Sequence, residues 1–170
     1  MRVIPGWFVG AVLAASLAGP MARPAAAQDR LGGHIGVVLP LFTHGNGTTT
    51  TLTDDFTIGF PVGITVRKSD TFAFDLELVP SLQNDPLHVD LTVHPGFVVG
   101  VGDGWGVGLR AAFDVNRPSW GFTPIVNHGL LKVLNGETLF GELVVPIRFQ
   151  DAGAGVFTSI GVGVHIGIGF

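Results

Sequence analysis

The stretch SIGVGVHIGIGF, Ser159–Phe170, alternates with a period of two. Ile160, Val162, Val164, Ile166 and Ile168 fall on one face of an extended chain, and Ser159, Gly161, Gly163, His165, Gly167 and Gly169 fall on the other. Helical geometry would scatter this pattern around an axis, so the stretch reads as a strand. Its second face is nearly free of side chains. A soluble sandwich would carry charge there, whereas a glycine face suits a narrow lumen that long side chains from other strands must fill.

Working outward, the same alternation returns in residues 34–43, 57–67, 72–82, 89–101, 106–115, 121–134 and 138–150, making eight segments with 158–170. Each is close to the length a tilted strand needs to cross a bilayer. Ile58, Phe60, Val62, Ile64 and Val66 alternate with Thr57, Gly59, Pro61, Gly63, Thr65 and Arg67. Phe72, Phe74, Leu76 and Leu78 alternate with Ala73, Asp75 and Glu77. One face is compatible with lipid throughout, and the other collects the charges. In 121–134 the parity of Phe122 and Val126 conflicts with that of Leu131 and Val133, which predicts a bulge near Asn127-His128-Gly129 or a strand beginning only after Gly129.

The connections differ in kind. Lys68-Ser69-Asp70, Gly102-Asp103-Gly104 and Asn135-Gly136-Glu137 have the chemistry of tight turns, whereas 44–56, 83–88, 116–120 and 151–157 are mostly longer. Short turns on the periplasmic side and long loops outside is the arrangement of outer-membrane barrels, with both chain ends periplasmic. Trp105 and Trp120 flank the fifth segment, whose tilted rise of roughly 25 to 30 Å would set them as interfacial aromatics at the two membrane surfaces. The chain has no tyrosine, so Trp and Phe must form those girdles.

Composition agrees. Of 170 residues, 46% are hydrophobic and only 13% charged, with 26 glycines and no cysteine, which excludes a disulfide scaffold and a thiolate metal site. Residues 1–27 read as a cleavable signal peptide: Arg2, the apolar Trp7 to Leu17, and Ala25-Ala26-Ala27 before Gln28. The barrel domain is then 28–170. Removing Arg2 and Arg23 leaves seven basic against thirteen acidic residues, net −6, which argues against a nucleic-acid partner. No later segment has 18 consecutive apolar residues, so hydropathy is carried by strands.

The predicted fold is therefore all-β, an eight-stranded antiparallel up-and-down transmembrane β-barrel. With its alternation, turn asymmetry and terminal aromatic, the chain resembles the small bacterial outer-membrane barrels of the OmpA, OmpX and OmpW type over residues 31–170. The most specific feature is SIGVGVHIGIGF, whose Phe170 resembles the signal read by the outer-membrane assembly machinery. The resemblance implies a monomer in outer-membrane lipid and lipopolysaccharide; no OmpA-type peptidoglycan-binding domain is expected after the barrel, and no cofactor.

On this parity the lumen holds Arg67, Arg110 and Arg148 against Asp75, Glu77, Asp90, Asp114 and Glu142, with His94 and His165 nearby. Isolated buried charges cost several kcal/mol each, so these are expected to pair into a plug. Arg110 is expected between Glu77 and Glu142 at matched depth, with Arg148, Asp114 and Asp90 nearer the outside. The expected role is structural or a narrow, charge-plugged channel. The alternatives are a surface-recognition barrel acting through its loops, a gated ion or solute path, a lipid-A-modifying enzyme, and a soluble lipocalin-like barrel with an apolar interior. No catalytic residue is assigned: His44 beside Asp54-Asp55, Ser119, His128 and Ser159 have no spacing that forces contact. His44-Gly-Asn-Gly and Thr48 to Thr51 read as a mobile polar loop. The six histidines are dispersed, without metal-ligand spacing, and no metal is expected.

Overall fold

The computed structural model describes residues 30–84, 86–151, 153 and 155–170, and the signal peptide assigned to 1–27 lies outside them. The described residues form one antiparallel sheet of eleven strands: β1 (Leu31–Gly45), β2 (Thr48–Thr51), β3 (Thr57–Gly59), β4 (Val62–Arg67), β5 (Phe72–Asn84), β6 (Leu87–Gly102), β7 (Trp105–Asp114), β8 (Ser119–Lys132), β9 (Thr138–Val144), β10 (Ile147–Asp151) and β11 (Val156–Gly169). β11 pairs back onto β1, from His34↔Gly169 to Gly45↔Ser159, and this closes the sheet.

Eleven strands make eight walls. β2, β3 and β4 lie in turn along β1 as one wall, broken by residues 52–56 and again at Pro61, and β9 and β10 are one wall interrupted at Pro146; proline has no N–H to donate to a ladder. The register continues across Pro61, with Ile58↔Leu82 before it and Val62↔Leu78 after it. Flanking backbone bonds persist: Phe60 N–H donates to Pro80 O at 2.9 Å and Val145 N–H to Pro124 O at 3.0 Å. The expected eight-stranded antiparallel up-and-down ring is the fold.

Three local expectations need correction. The sixth wall is one strand, β8, so it does not begin after Gly129; its bulge lies between Gly129 and Leu131 against β9, just beyond the expected site. Residues 44–56 are not simply a polar loop, because β1 and β2 continue as a hairpin turned at Asn46 and Gly47, with φ of 54° and 75°. Two successive positive φ values are what a tight hairpin turn demands, and Asn-Gly supplies them at little steric cost. β5 and β6 are joined by residues 85 and 86 alone, because Asn84 already pairs with Leu87, so the end opposite the termini is not uniformly long-looped.

Outside and inside are inverted relative to a soluble protein. Ile64 and Ile166 are 56% and 54% exposed on the outer face, whereas Arg110 and Glu142 are each only 3% exposed in the bore. Among the described residues few aliphatic side chains are buried: Val79, Ala112, Ile125 and Val144. The core of this molecule is polar.

Candidate functional site

Three rows of residues, set by strand register, meet in the bore. His34, Gly63, Glu77 and His94 are successive partners across β1, β4, β5 and β6. Asp75, Gly96, Arg110 and Thr123 are partners across β5 to β8. Asn127, Glu142 and His165 are partners across β8, β9 and β11. The glycines are crossing points. A Cβ at Gly96 would stand 2.7 Å from Arg110 Cγ, so only glycine lets the arginine lie across the strand toward Asp75. Gly63 likewise leaves room for the His34 ring to lie over it and reach Glu77.

Arg110 is the hub. Its Nε donates to Asp75 Oδ2 at 2.9 Å and its Nη1 to Glu142 Oε1 at 2.8 Å. Glu77 Oε2 is farther from Nη1, at 3.5 Å. The expected Glu77–Arg110–Glu142 bridge is thus redrawn: Asp75 and Glu142 hold the guanidinium, and Glu77 is held mainly by imidazoles. His34 Nε2–H donates to Glu77 Oε2 at 2.9 Å and His94 Nδ1–H to Glu77 Oε1 at 3.1 Å. His165 Nδ1–H donates to Glu142 Oε1 at 3.2 Å, while its Nε2 is buried without a partner against Gly36.

Charge and tautomer follow from these contacts. Three carboxylates, those of Asp75, Glu77 and Glu142, share the one guanidinium of Arg110. Arg148 Nη2 donates to His94 Nε2 at 3.0 Å, which requires a lone pair there and makes His94 the neutral Nδ1–H tautomer. Arg148 therefore offsets part of the layer's charge through an imidazole, not through a carboxylate.

The remaining expected lumenal charges are placed elsewhere. Arg67 is exposed at the rim on the side of the termini. Asp90 and Asp114 pair with Arg117, at 3.0 and 3.2 Å, at the far end. Two participants were missed. Arg117 lies between β7 and β8, where no strand parity can point a side chain. His34 could have been found, since outward Ile35, Val37, Leu39 and Leu41 leave His34 on the inner face of β1 by the same alternation.

Trp105 and Trp120 are both 50% exposed, near opposite ends of the β7–β8 pair, with Trp105 against the His128 ring and Trp120 against Phe122 and Phe149. Phe170 exchanges two backbone hydrogen bonds with Gly33, both 2.9 Å, and leaves its side chain exposed. The residues searched for catalysis are not assembled. His44 bonds Thr49, His128 bonds the Asp103 carbonyl at the other end of the barrel, and Asp54 accepts from Thr51.

Chain spacing could not reveal what tertiary structure assembles here: ligand atoms of His34, Asp75 and Glu77, and those of Glu77, Glu142 and His165, lie within 4.8 Å of one another in each set. The Arg110 guanidinium already lies among these carboxylates as their cation. On the side away from the termini is a mouth chamber of about 310 Å³ bordered by Asp55, Asp114, Arg117 and Arg148. Beneath it lies a chamber of about 130 Å³ floored by Glu77, His94, Arg110 and His165. A cavity of about 300 Å³ opens toward the termini and also reaches Arg110. Arg110 stands between the two sides.

No protein-family model and no curated protein matches the chain. Among solved structures, the crystal structure of the outer membrane protein OprG from Pseudomonas aeruginosa aligns with a TM-score of 0.40 and 12% identity, covering 83% of this chain and 96% of that one.

Proposed function

We propose that this chain is a bacterial outer-membrane β-barrel, exported by residues 1–27, whose lumen is closed by the Arg110 layer, so that it acts as a structural barrel or a narrow channel and not as an open pore. The observation that carries this reading is the inversion of polarity: an apolar outer face around a bore filled by paired charges. In water that outer face would be a large exposed apolar surface, whereas lipid covers it. The lipocalin-like alternative requires a predominantly apolar interior, whereas here Asp75, Glu77, Arg110 and Glu142 are buried across the bore. The termini and the turns at Asp103-Gly104 and Asn135-Gly136 would face the periplasm, and the β1–β2 hairpin the exterior. Phe170 would be read by the outer-membrane assembly machinery, and Trp105 and Trp120 would sit at the lipid headgroups. The barrel is proposed to be monomeric, because ring closure leaves no wall unpaired.

Surface recognition is the second reading, supported by the β1–β2 hairpin, which extends the wall at the mouth and presents His44 and Thr48–Thr51 there. The deciding experiment is membrane fractionation with gel migration before and after heating. The expected result is an outer-membrane protein that runs compactly unless boiled and shows little conductance in planar bilayers. Recovery in the soluble periplasmic fraction would overturn the membrane placement, and large open-pore conductance would overturn the plug.

A further inference from the structure

Arg148 stands at the neck between the mouth chamber and the chamber beneath it, and lines both. Among the described residues its guanidinium forms no ion pair. Nη1 donates to the Phe122 and Ile147 carbonyls at 3.3 and 3.2 Å and to Thr123 Oγ1 at 3.1 Å, and Nη2 donates to neutral His94 at 3.0 Å. A guanidinium has five N–H groups, so Nε–H and the second hydrogen of Nη2 are left over. The nearby acid Asp114 is engaged, accepting from Thr92 at 2.8 Å and from Arg117 at 3.2 Å. Asp55 borders the mouth chamber but lies beyond ion-pair distance of Arg148. The chamber below the neck has an apolar wall of Val38, Pro61, Val79 and Val144.

We propose that this neck binds a small monocarboxylate with a compact apolar body, the carboxylate on Arg148 and the body against Val38, Pro61, Val79 and Val144. A carboxylate matches the leftover donors, because guanidinium and carboxylate share a planar, forked geometry. A dianion is disfavoured, since Asp55 and Asp114 border the mouth and Glu77 faces the lower chamber. The lower chamber, about 130 Å³, is close to the ~150 Å³ that accepts a benzene ring in another protein. The site does not depend on which membrane surrounds the barrel.

The test is calorimetric titration of the full-length mature chain in an uncharged detergent with benzoate and, separately, with benzamide, its neutral analogue of the same shape. Benzoate is expected to bind the parent at least about tenfold more tightly than benzamide, the usual worth of a charge-assisted hydrogen bond. Arg148→Met, with folding checked by its compact gel band, should lower benzoate to the benzamide level. Equal affinity of the parent for the two compounds, absence of benzoate binding, or parent-like benzoate binding by a folded Arg148→Met variant would each overturn the proposal. Should Arg148→Met not fold, the comparison of the two compounds on the parent decides alone.

Discussion

Arg110 holds together groups that repel one another, so its removal is felt by Asp75, Glu77 and Glu142 at once. Arg110→Ala is expected to lower stability by about 3 to 5 kcal/mol, the cost of stranding buried partners. It should also raise single-channel conductance, because the guanidinium borders the cavities on both sides. Arg110→Met should resemble Ala more than Lys in both measurements. Urea unfolding in bilayers and planar-bilayer recording check this, and a variant unchanged in both would remove the reason for calling the layer a plug. Gly63 tests the layer from the backbone side, since an added Cβ overlaps the His34 ring and pushes it off Glu77. Gly63→Ala should destabilise by about 1.5 to 3 kcal/mol, the worth of a hydrogen bond to a charged group. In a His34→Ala background the same change should cost much less, as residues sharing one contact are not additive. Equal losses in both backgrounds would show that the glycine is needed for another reason.

Strands and turns carry two further expectations. At the base of the β1–β2 hairpin, Asp54 Oδ2 accepts from Thr51 Oγ1 at 2.6 Å and from Thr51 N–H at 2.9 Å. These two bonds, the hydroxyl's being the larger influence, hold the Asp54 carboxyl below the ordinary carboxylate range. A depressed folded-state pKa means that the closure is present at neutral pH and lost only as pH falls through the acid range. The Thr51 amide resonance should therefore move only in acid, and Asp54→Asn should abolish that movement. A Thr51 amide that titrates identically in Asp54→Asn would assign the effect to another group. At the end of β11, the backbone of Phe170 is paired with Gly33 whatever its side chain, so Phe170→Asp leaves the ladder intact. Any loss of outer-membrane protein in that variant then reports the exposed ring. Export should persist while the heat-modifiable form falls, and a normal yield of that form would refute a signalling role for Phe170.

At the scale of the whole barrel, the lipid reading and the bore reading make opposite demands on the same substitution. Ile64 and Leu109 face outward, whereas Val98 borders the cavity shared with Asp75, Asn127 and Glu142. An arginine on the lipid face near mid-depth costs roughly 2 to 4 kcal/mol, and one in a water-accessible lumen beside carboxylates does not carry that penalty. Ile64→Arg and Leu109→Arg should therefore destabilise the barrel more than Val98→Arg does. Gly63 is unsuited as the inward control, because the His34 ring fills its space. Equal losses at all three positions, read by urea unfolding in bilayers, would contradict a lipid-facing exterior.

The alternation of Ile160, Val162, Val164, Ile166 and Ile168 with glycine, repeated in eight segments, was sufficient to determine strand and facing, because a period of two is a local property, and the expected ring is closed by the pairing of β11 with β1. Tight turns at Asp103-Gly104 and Asn135-Gly136 were legible for the same reason, since positive φ is a demand made on individual residues. Parity alone also put Asp75, Glu77, Arg110, Glu142 and His165 inward. Their partners were not legible. Which carboxylate reaches Arg110 depends on strand tilt and on which rows meet across the bore, and that placed Asp75 ahead of Glu77. Arg117 was invisible because a loop has no period, and the two His/carboxylate sets were invisible because each joins residues from two or more strands. Sequence determined each side chain's face through local geometry, and tertiary structure alone decided which inward groups touch, because that depends on distances between strands far apart along the chain.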